Sequence, residues 1–323
     1  MNLRYLQTFV SIADNGGVAR AAAKLNLSQP AVSRQINALE TELGVPLFDR
    51  VGRRVQLTSE GKDLLWRSRR LLAEADSLGE RASALRGGQT GVLRVGAPPH
   101  VIETVLASFL SHYRHRHPQI EVHLLEDGGA RLAGRLEQGD VQLALFANDV
   151  ERFPGRPLYP IHVLVVLPEG HRLNRRQVVE ISDLAEEPLV LLNRGFGSRE
   201  YFEQACRDAR IRPRVLLESG APHTVIALAA AGYGLAVAPS NTHIPRSMIR
   251  ALPLVHRGQP IGAWSMVAWH PERFLAPYAQ QFVDELATRL RRDYPNRDIM
   301  RRAPPLPKPK EPKVQAWKGT AAH

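Results

Sequence analysis

The chain has very little cysteine. A single one, Cys206, stands among 323 residues, which excludes an intramolecular disulfide and suits a reducing compartment. Long apolar runs are missing as well. None approaches the ~18 residues that a membrane span requires, and the first residues, with Arg4 and Asp14 in a mixed stretch, lack the apolar centre of a signal peptide. These absences predict a cytoplasmic protein with no membrane partner. Catalytic signatures are also wanting: there is no G-x-S-x-G, no H-E-x-x-H and no phosphate loop, so the sequence reads as a non-enzyme. His112, His115 and His117 lie close together. Without a Cys or carboxylate to complete a ligand set they predict no metal, and no cofactor is expected.

Positive charge, by contrast, is plentiful and unevenly placed. The net formal charge is +11. Residues 1–90 carry 13 Lys/Arg against 9 Asp/Glu, residues 297–323 carry 7 against 2, and the long middle is nearly balanced at 23 against 21. Polyanion affinity is therefore expected at the two ends, with a globular segment between them. The length predicts at least two domains.

Residues 18–50 are the most informative stretch. Ala21, Ala22 and Leu25 form a small apolar stripe, and Asn26-Leu27-Ser28 makes a short turn. Ser28 is placed to cap the next helix through its hydroxyl, and Pro30 falls in the first turn, where its missing N–H costs little. Apolar residues then recur at Val32, Ile36, Leu39 and Leu43, a spacing that buries one face. Gln29, Ser33, Arg34 and Asn37 lie off that face, near the end that a recognition helix offers to base edges. The pattern predicts a helix-turn-helix that binds double-stranded DNA rather than an ordinary helical hairpin, with Ser28, Gln29, Pro30, Ser33, Arg34 and Asn37 as contact candidates. Residues 51–57 fit a hairpin wing turning at Gly52, and Arg50, Arg53 and Arg54 are placed to meet phosphate or the minor groove.

The pieces AAAKLNLSQPAVSRQINALE, LGVPLFDR and LTSEG resemble a LysR-type bacterial transcriptional regulator, densely over about the first 65 residues and more loosely to about residue 292. The resemblance implies a winged helix-turn-helix that binds DNA as part of a dimer or tetramer, a small-molecule-sensing domain behind it, and RNA polymerase as a further partner. One departure is Gly17-Val18-Ala19, where members often show Ser-Phe-Thr. A hydroxyl that reaches phosphate at the first helix is absent there.

Behind the wing, residues 58–85 read as one helix. Leu64, Leu71, Leu78 and Leu85 repeat every seventh position with Ser68, Ala75 and Ala82 between them, a seam suited to a coiled-coil dimer. Two-fold pairing would set two recognition helices on successive major-groove faces, which predicts a dyad-symmetric site. From residue 91 short apolar strands alternate with helices in two βαβαβ sets, the signature of parallel sheets. The expected fold class is α+β: a winged helix-turn-helix over residues 1–58, a linker and dimerisation helix over 59–88, and a two-lobed α/β effector domain. Lobe 1 covers 91–161, completed by 268–296, and lobe 2 covers 162–267. By resemblance this domain is like a periplasmic binding protein. The basic, proline-rich residues 297–323 have little to bury and are expected to stay disordered.

Ligands of open α/β sheets sit beyond the carboxyl ends of the strands, where helix N-termini favour anions. The strand-to-helix junctions nominate Pro98, His100, Asn148, Asn193, Ser198, Arg199, His223 and Thr224 for a small polar or anionic effector. Pro98 and His100 stand where several members of the resembled family carry Ser or Thr. Two other readings compete with that of a ligand-responsive regulator. One is a solute-binding or enzymatic α/β domain tethered to DNA, and the other is a less specific nucleoid-binding protein. A footprint confined to a dyad-symmetric promoter site would separate the regulator from the packaging protein.

Overall fold

A computed structural model describes residues 1–51, 54–85, 90–147 and 152–309. Arg53, Asn148 and the end of the basic tail lie outside the described residues, as do the side chains of Arg50, Arg54 and Leu85. The chain forms two compact units, one built from Met1–Gly88 with Glu137–Asp140, the other from Gln89–Leu136 and Val141 onward.

In the first unit three helices surround one small core: α1 (Leu3–Asn15), α2 (Val18–Leu25) and α3 (Gln29–Leu43). Leu6, Phe9, Ile12, Ala21, Ala22, Val32, Ile36, Leu39 and Leu47 are all buried together. The turn between α2 and α3 depends on Asn26, which adopts a left-handed conformation (φ 53°), one that a short polar side chain tolerates. Strands β1 (Phe48–Val51) and β2 (Arg54–Leu57) pair antiparallel, Phe48 opposite Leu57. Then α4 (Ser59–Leu85) begins. Its start is fixed by Thr58, whose hydroxyl accepts from the Gly61 N–H at 2.8 Å and donates to the Pro46 carbonyl at 2.8 Å.

The second unit is a mixed α/β body on a curled sheet. β3 (Gly91–Ala97) leads into a short α5 (Pro99–Val101), a π-helical turn (Ile102–Leu106) and α6 (Ala107–Arg116). There follow β4 (Ile120–Glu126), α7 (Gly129–Gln138) and β5 (Leu143–Ala147). β6 (Gly155–Pro168) is 14 residues long and belongs to both halves of the sheet. Its first part pairs with β13 (Gly262–Ala268), while its second pairs with β10 (Leu235–Pro239) and β11 (Ile249–His256). Between these lie β7 (Val179–Glu180), β8 (Pro188–Leu192), α8 (Gly197–Ala209), β9 (Arg214–Ser219), α9 (Pro222–Ala230) and the short β12 (Gln259–Pro260). The strand order β4-β3-β5-β13-β6-β10-β8-β9 makes two parallel triplets meeting at antiparallel crossing strands. One core gathers β3, α6 and the final long helix α10 (Pro277–Leu290) around Phe109, Tyr113 and Phe282. Two more flank the other half of the sheet, one under α8 and one under α9.

The expectation for residues 297–323 needs correction over 297–309. These residues are laid onto the second unit. A short α11 (Arg297–Met300) buries Ile299 and Met300, and Leu306 is buried beyond it. Trp264 Nε1 donates to the Pro307 carbonyl at 2.9 Å, and the His162 ring meets the Pro304 carbonyl at 3.4 Å. Proline lacks a donor but keeps its acceptor, so a proline-rich strand docks wherever neighbours supply N–H groups. Ile299, Met300 and Leu306 supply its buried apolar contacts.

Candidate nucleic-acid interface and ligand cavity

The face of α3 is sorted by its periodicity. Val32, Ile36 and Leu39 point into the core, and Gln29, Pro30, Arg34 and Asn37 are exposed on the other side, with Ser33 half-buried beside them. Ser28 caps the helix, its hydroxyl accepting from the Ala31 N–H at 3.3 Å. Gln35, close in sequence to the reading residues, is instead tied inward to Thr8 of α1. Two contributions escaped sequence reasoning. The Glu40 carboxylate accepts from the Leu47 N–H at 2.7 Å and the Phe48 N–H at 3.2 Å, which ties α3 to the wing. The second is Gly61, whose missing Cβ leaves room for the Leu47 carbonyl. Neither has a local pattern that announces it.

On α4 the leucine seam divides. Leu64 packs back on the core of its own unit, whereas Leu71 is 40% and Leu78 73% exposed. Leu64 is thereby drawn away from the seam expected for dimerisation, because a helix leaving a small domain must first help to close that domain's core.

In the second unit a cavity of about 360 Å³ opens at the carboxyl ends of β3 and β8. Pro98, His100 and Ser198 line it, as do Phe146, Phe196, Asn241 and Ser265. The remaining candidates lie elsewhere. His223 faces a different cavity, and Asn193 and Thr224 line neither of the two. Arg199 is buried and turned inward. Its guanidinium donates to the Leu192 carbonyl at 2.7 Å and pairs with Glu203 and Glu218, so its charge is consumed in joining α8 to β8 and β9. An Arg two residues into a helix can reach back to its own strand, and i,i+4 spacing to Glu203 was the signal for that.

His100 is the singular group of the cavity. Burial depresses its pKa from 6.5 to about 4, an effect that the neighbouring Asn241 side chain only partly opposes. The imidazole is neutral at physiological pH and its Nδ1 is buried without a hydrogen-bond partner. Asn241 itself bridges the crossing region: its side-chain amide donates to the Tyr159 hydroxyl at 3.3 Å, and its backbone carbonyl accepts from the Thr104 hydroxyl at 2.8 Å. Asn241 and Ser265 follow or interrupt apolar strands, and a polar residue at such a place was the available clue. One charge of each sign, Arg152 and Glu200, borders the cavity. Gly197 and Ser198, also in its wall, begin α8, so their N–H groups have no partner within the helix.

A pH dependence follows from the buried imidazole. The unfolded chain takes up a proton on this side chain below about pH 6.5, while the folded unit does so only near 4. Between those values the unfolded state binds more protons, so stability falls as pH drops. For His100 the loss is on the order of 3 kcal/mol by pH 4. His162 is also depressed by burial and acts in the same direction. Thermal melts of a His100→Gln variant from pH 7.5 to 4 should therefore show a shallower decline than the parent chain. Parallel curves would contradict the assignment.

Comparison with known proteins adds independent support. Residues 3–62 match the family described as bacterial regulatory helix-turn-helix protein, lysR family, and residues 86–291 match the LysR substrate binding domain. The chain is 30% identical over 288 residues to the HTH-type transcriptional regulator YybE of Bacillus subtilis (strain 168), covering 87% of this chain and 97% of that protein. It is 34% identical over 242 residues to a probable hydrogen peroxide-inducible genes activator of Streptomyces viridosporus, covering 74% and 77% respectively. Among solved structures, full-length CbnR complexed with its target DNA shares the fold, with a TM-score of 0.62–0.63 across its two structures, 24% identity, and 90% of this chain and 100% of that one covered in the complex.

Proposed function

This chain belongs to the LysR family of DNA-binding transcriptional regulators, with a helix-turn-helix and a ligand-binding domain, and from that premise we propose that it reads a dyad-symmetric promoter site in response to a small effector. The observation that carries the reading is the exposed set Gln29, Arg34 and Asn37 on α3, opposite a fully buried stripe. Residues of this type make bidentate contacts to guanine and adenine edges. Exposed Leu71 and Leu78 on α4 supply an apolar seam for a second copy of the chain. Two copies put two α3 helices on one face of the duplex.

The 360 Å³ cavity is the proposed effector site, of a size that suits a small metabolite. Its apolar wall favours a compact carbon skeleton. The N–H groups at the start of α8 favour a polar or anionic head group. DNase footprinting on the region upstream of the protein's own coding sequence, with and without a panel of small carboxylates, tests both halves. Protection at a site with two related half-sites, altered by one panel member, is the expected result. Uniform protection along the DNA would favour a nucleoid-packaging protein instead.

Two relatives are named as activators of hydrogen peroxide-inducible genes, one of them as probable, but the only thiol here is poorly suited to peroxide chemistry. Cys206 is buried on the inner face of α8, and burial, with Glu203 nearby, pushes its pKa up to about 12. The thiolate is the form that attacks peroxide, taking one oxygen as the O–O bond breaks and water leaves, and at pH 7 that form is scarcely populated. Labelling by a chromogenic disulfide reagent should be slow in the folded protein and immediate after denaturation, and Cys206→Ala should footprint like the parent. Rapid labelling of the folded chain would reopen a redox role.

A further inference from the structure

A second, larger cavity lies in the same unit, of about 1060 Å³. It shares only His100 with the cavity assigned above to the effector. Its wall joins the turn after α5, the start of α9, the loop after β10 and the segment running from Asp293 to Arg301. That last segment lies beyond residue 291, where the match to the family's ligand-binding domain ends. This part of the wall therefore lies outside the matched domain.

The segment is firmly placed. The Asn296 amide donates to the Ser240 and Thr242 carbonyls, both at 2.8 Å. Asp298 forms a two-pronged ion pair with Arg246 at 2.6 and 2.7 Å, and Tyr294 stacks on Tyr159 with ring centroids 5.7 Å apart. These bonds consume Arg246, Asp298 and Asn296. They leave another set in the wall that makes no side-chain hydrogen bond or ion pair among the described residues: Glu103 and Asp293 as carboxylates, and Arg301, His223 and His243 as cationic or neutral donors. Two buried polar atoms in the same wall, Thr242 Oγ1 and His100 Nδ1, likewise lack partners. Buried polar groups are ordinarily satisfied, and a single rotamer step turns a threonine hydroxyl about its Cβ.

We propose that this cavity is a second ligand site, for a zwitterion of amino-acid or dipeptide size. Glu103 and Asp293 receive the ammonium end, Arg301 and His223 receive the carboxylate end, and Thr242 hydrogen-bonds between them. Opposite charges at two ends of one small molecule match opposite free charges on the wall. A simple anion would meet Glu103 and Asp293 unpaired, and a simple cation would meet Arg301. Because His100 borders both cavities, an occupant here adjoins the effector site without displacing the effector.

Isothermal titration of the full-length protein with L-glutamine, L-arginine and glycylglycine tests the proposal, with propylamine and propionate as single-charge controls. At least one zwitterion should bind while both controls fail, and Asp293→Asn and Arg301→Ala, both at exposed positions, should each weaken that binding at least tenfold. Ser198→Ala, in the other cavity, should leave it within twofold. Absence of heat with all three zwitterions overturns the proposal, as does equal binding by either control. So does binding that is weakened by Ser198→Ala but by neither charge variant, since that would place the molecule in the effector cavity. Each result is independent of the promoter footprint, so loss of this site leaves the regulatory reading standing.

Discussion

Arg34→Ala will erase sequence-specific DNA protection while leaving the fold and the oligomeric state unchanged. Arg34 is exposed in the second turn of α3, on the face opposite Val32, Ile36 and Leu39, and makes no contact that the core requires. An arginine that bridges guanine O6 and N7 is worth about 1–3 kcal/mol of discrimination. In a dimer the loss occurs twice, so about 2–6 kcal/mol disappears and specific affinity falls roughly 30-fold to more than 10⁴-fold. Nonspecific attraction declines far less, because it is spread over many phosphate contacts. Fluorescence anisotropy at fixed salt, with a promoter duplex and a scrambled duplex, measures both. An intermediate outcome also discriminates: Arg34→Lys keeps the charge but not the planar fork, so it should restore nonspecific binding and recover little specificity. If Arg34→Ala binds the promoter as the parent does, α3 reads DNA through Gln29 and Asn37 without it.

The helix-turn-helix was legible because every cue in it is local. Ser28, Pro30 and the Val32–Ile36–Leu39 stripe each act within a few residues, and all specify the same helix. The alternation of strands and helices behind α4 is local in the same way, so the two-lobed α/β architecture could be read as well. What could not be read depends on distant partners. Arg199 lies at a helix start and carries a charge suited to a ligand, yet its fate is decided by Leu192 and Glu218 from two strands. Asn241 and Ser265 meet in one cavity although 24 residues separate them. Residues 297–309 hold only a few apolar side chains, and their docking depends on donors such as Trp264 that no window around the prolines contains. Composition reports what a segment can bury by itself. It does not report what waits to receive it.

Gly61→Ala should destabilise the DNA-binding unit far more than any ordinary exchange on α4, and the reason is a contact at short range. A Cβ built on Gly61 would stand 2.1 Å from the Leu47 carbonyl oxygen and 3.0 Å from its carbon. Both are backbone atoms, so relief requires the chain itself to move. The chain there is fixed from three sides: Glu40 holds the Leu47 and Phe48 N–H groups, Thr58 holds the Pro46 carbonyl, and the Leu47 side chain is fully buried. Overpacking of this kind costs about 1–3 kcal/mol, and more where the backbone cannot yield. In a unit of this size that corresponds to a fall in Tm of roughly 5–20 °C, with the wing displaced and DNA affinity lost alongside it. Gly79, on the same helix, provides the opposing case. Nothing lies within 4 Å of its built Cβ, so Gly79→Ala should raise helix stability by about 0.5–1 kcal/mol. Calorimetric melting of the full chain carrying each change, with promoter anisotropy in parallel, reads both effects. Opposite signs at two glycines of one helix would show that the glycine in LTSEG serves close approach to the preceding loop rather than flexibility. Equal stabilisation by both substitutions would mean that Leu47 and the wing can shift freely, and that the linkage of α4 to the reading head is looser than these contacts describe.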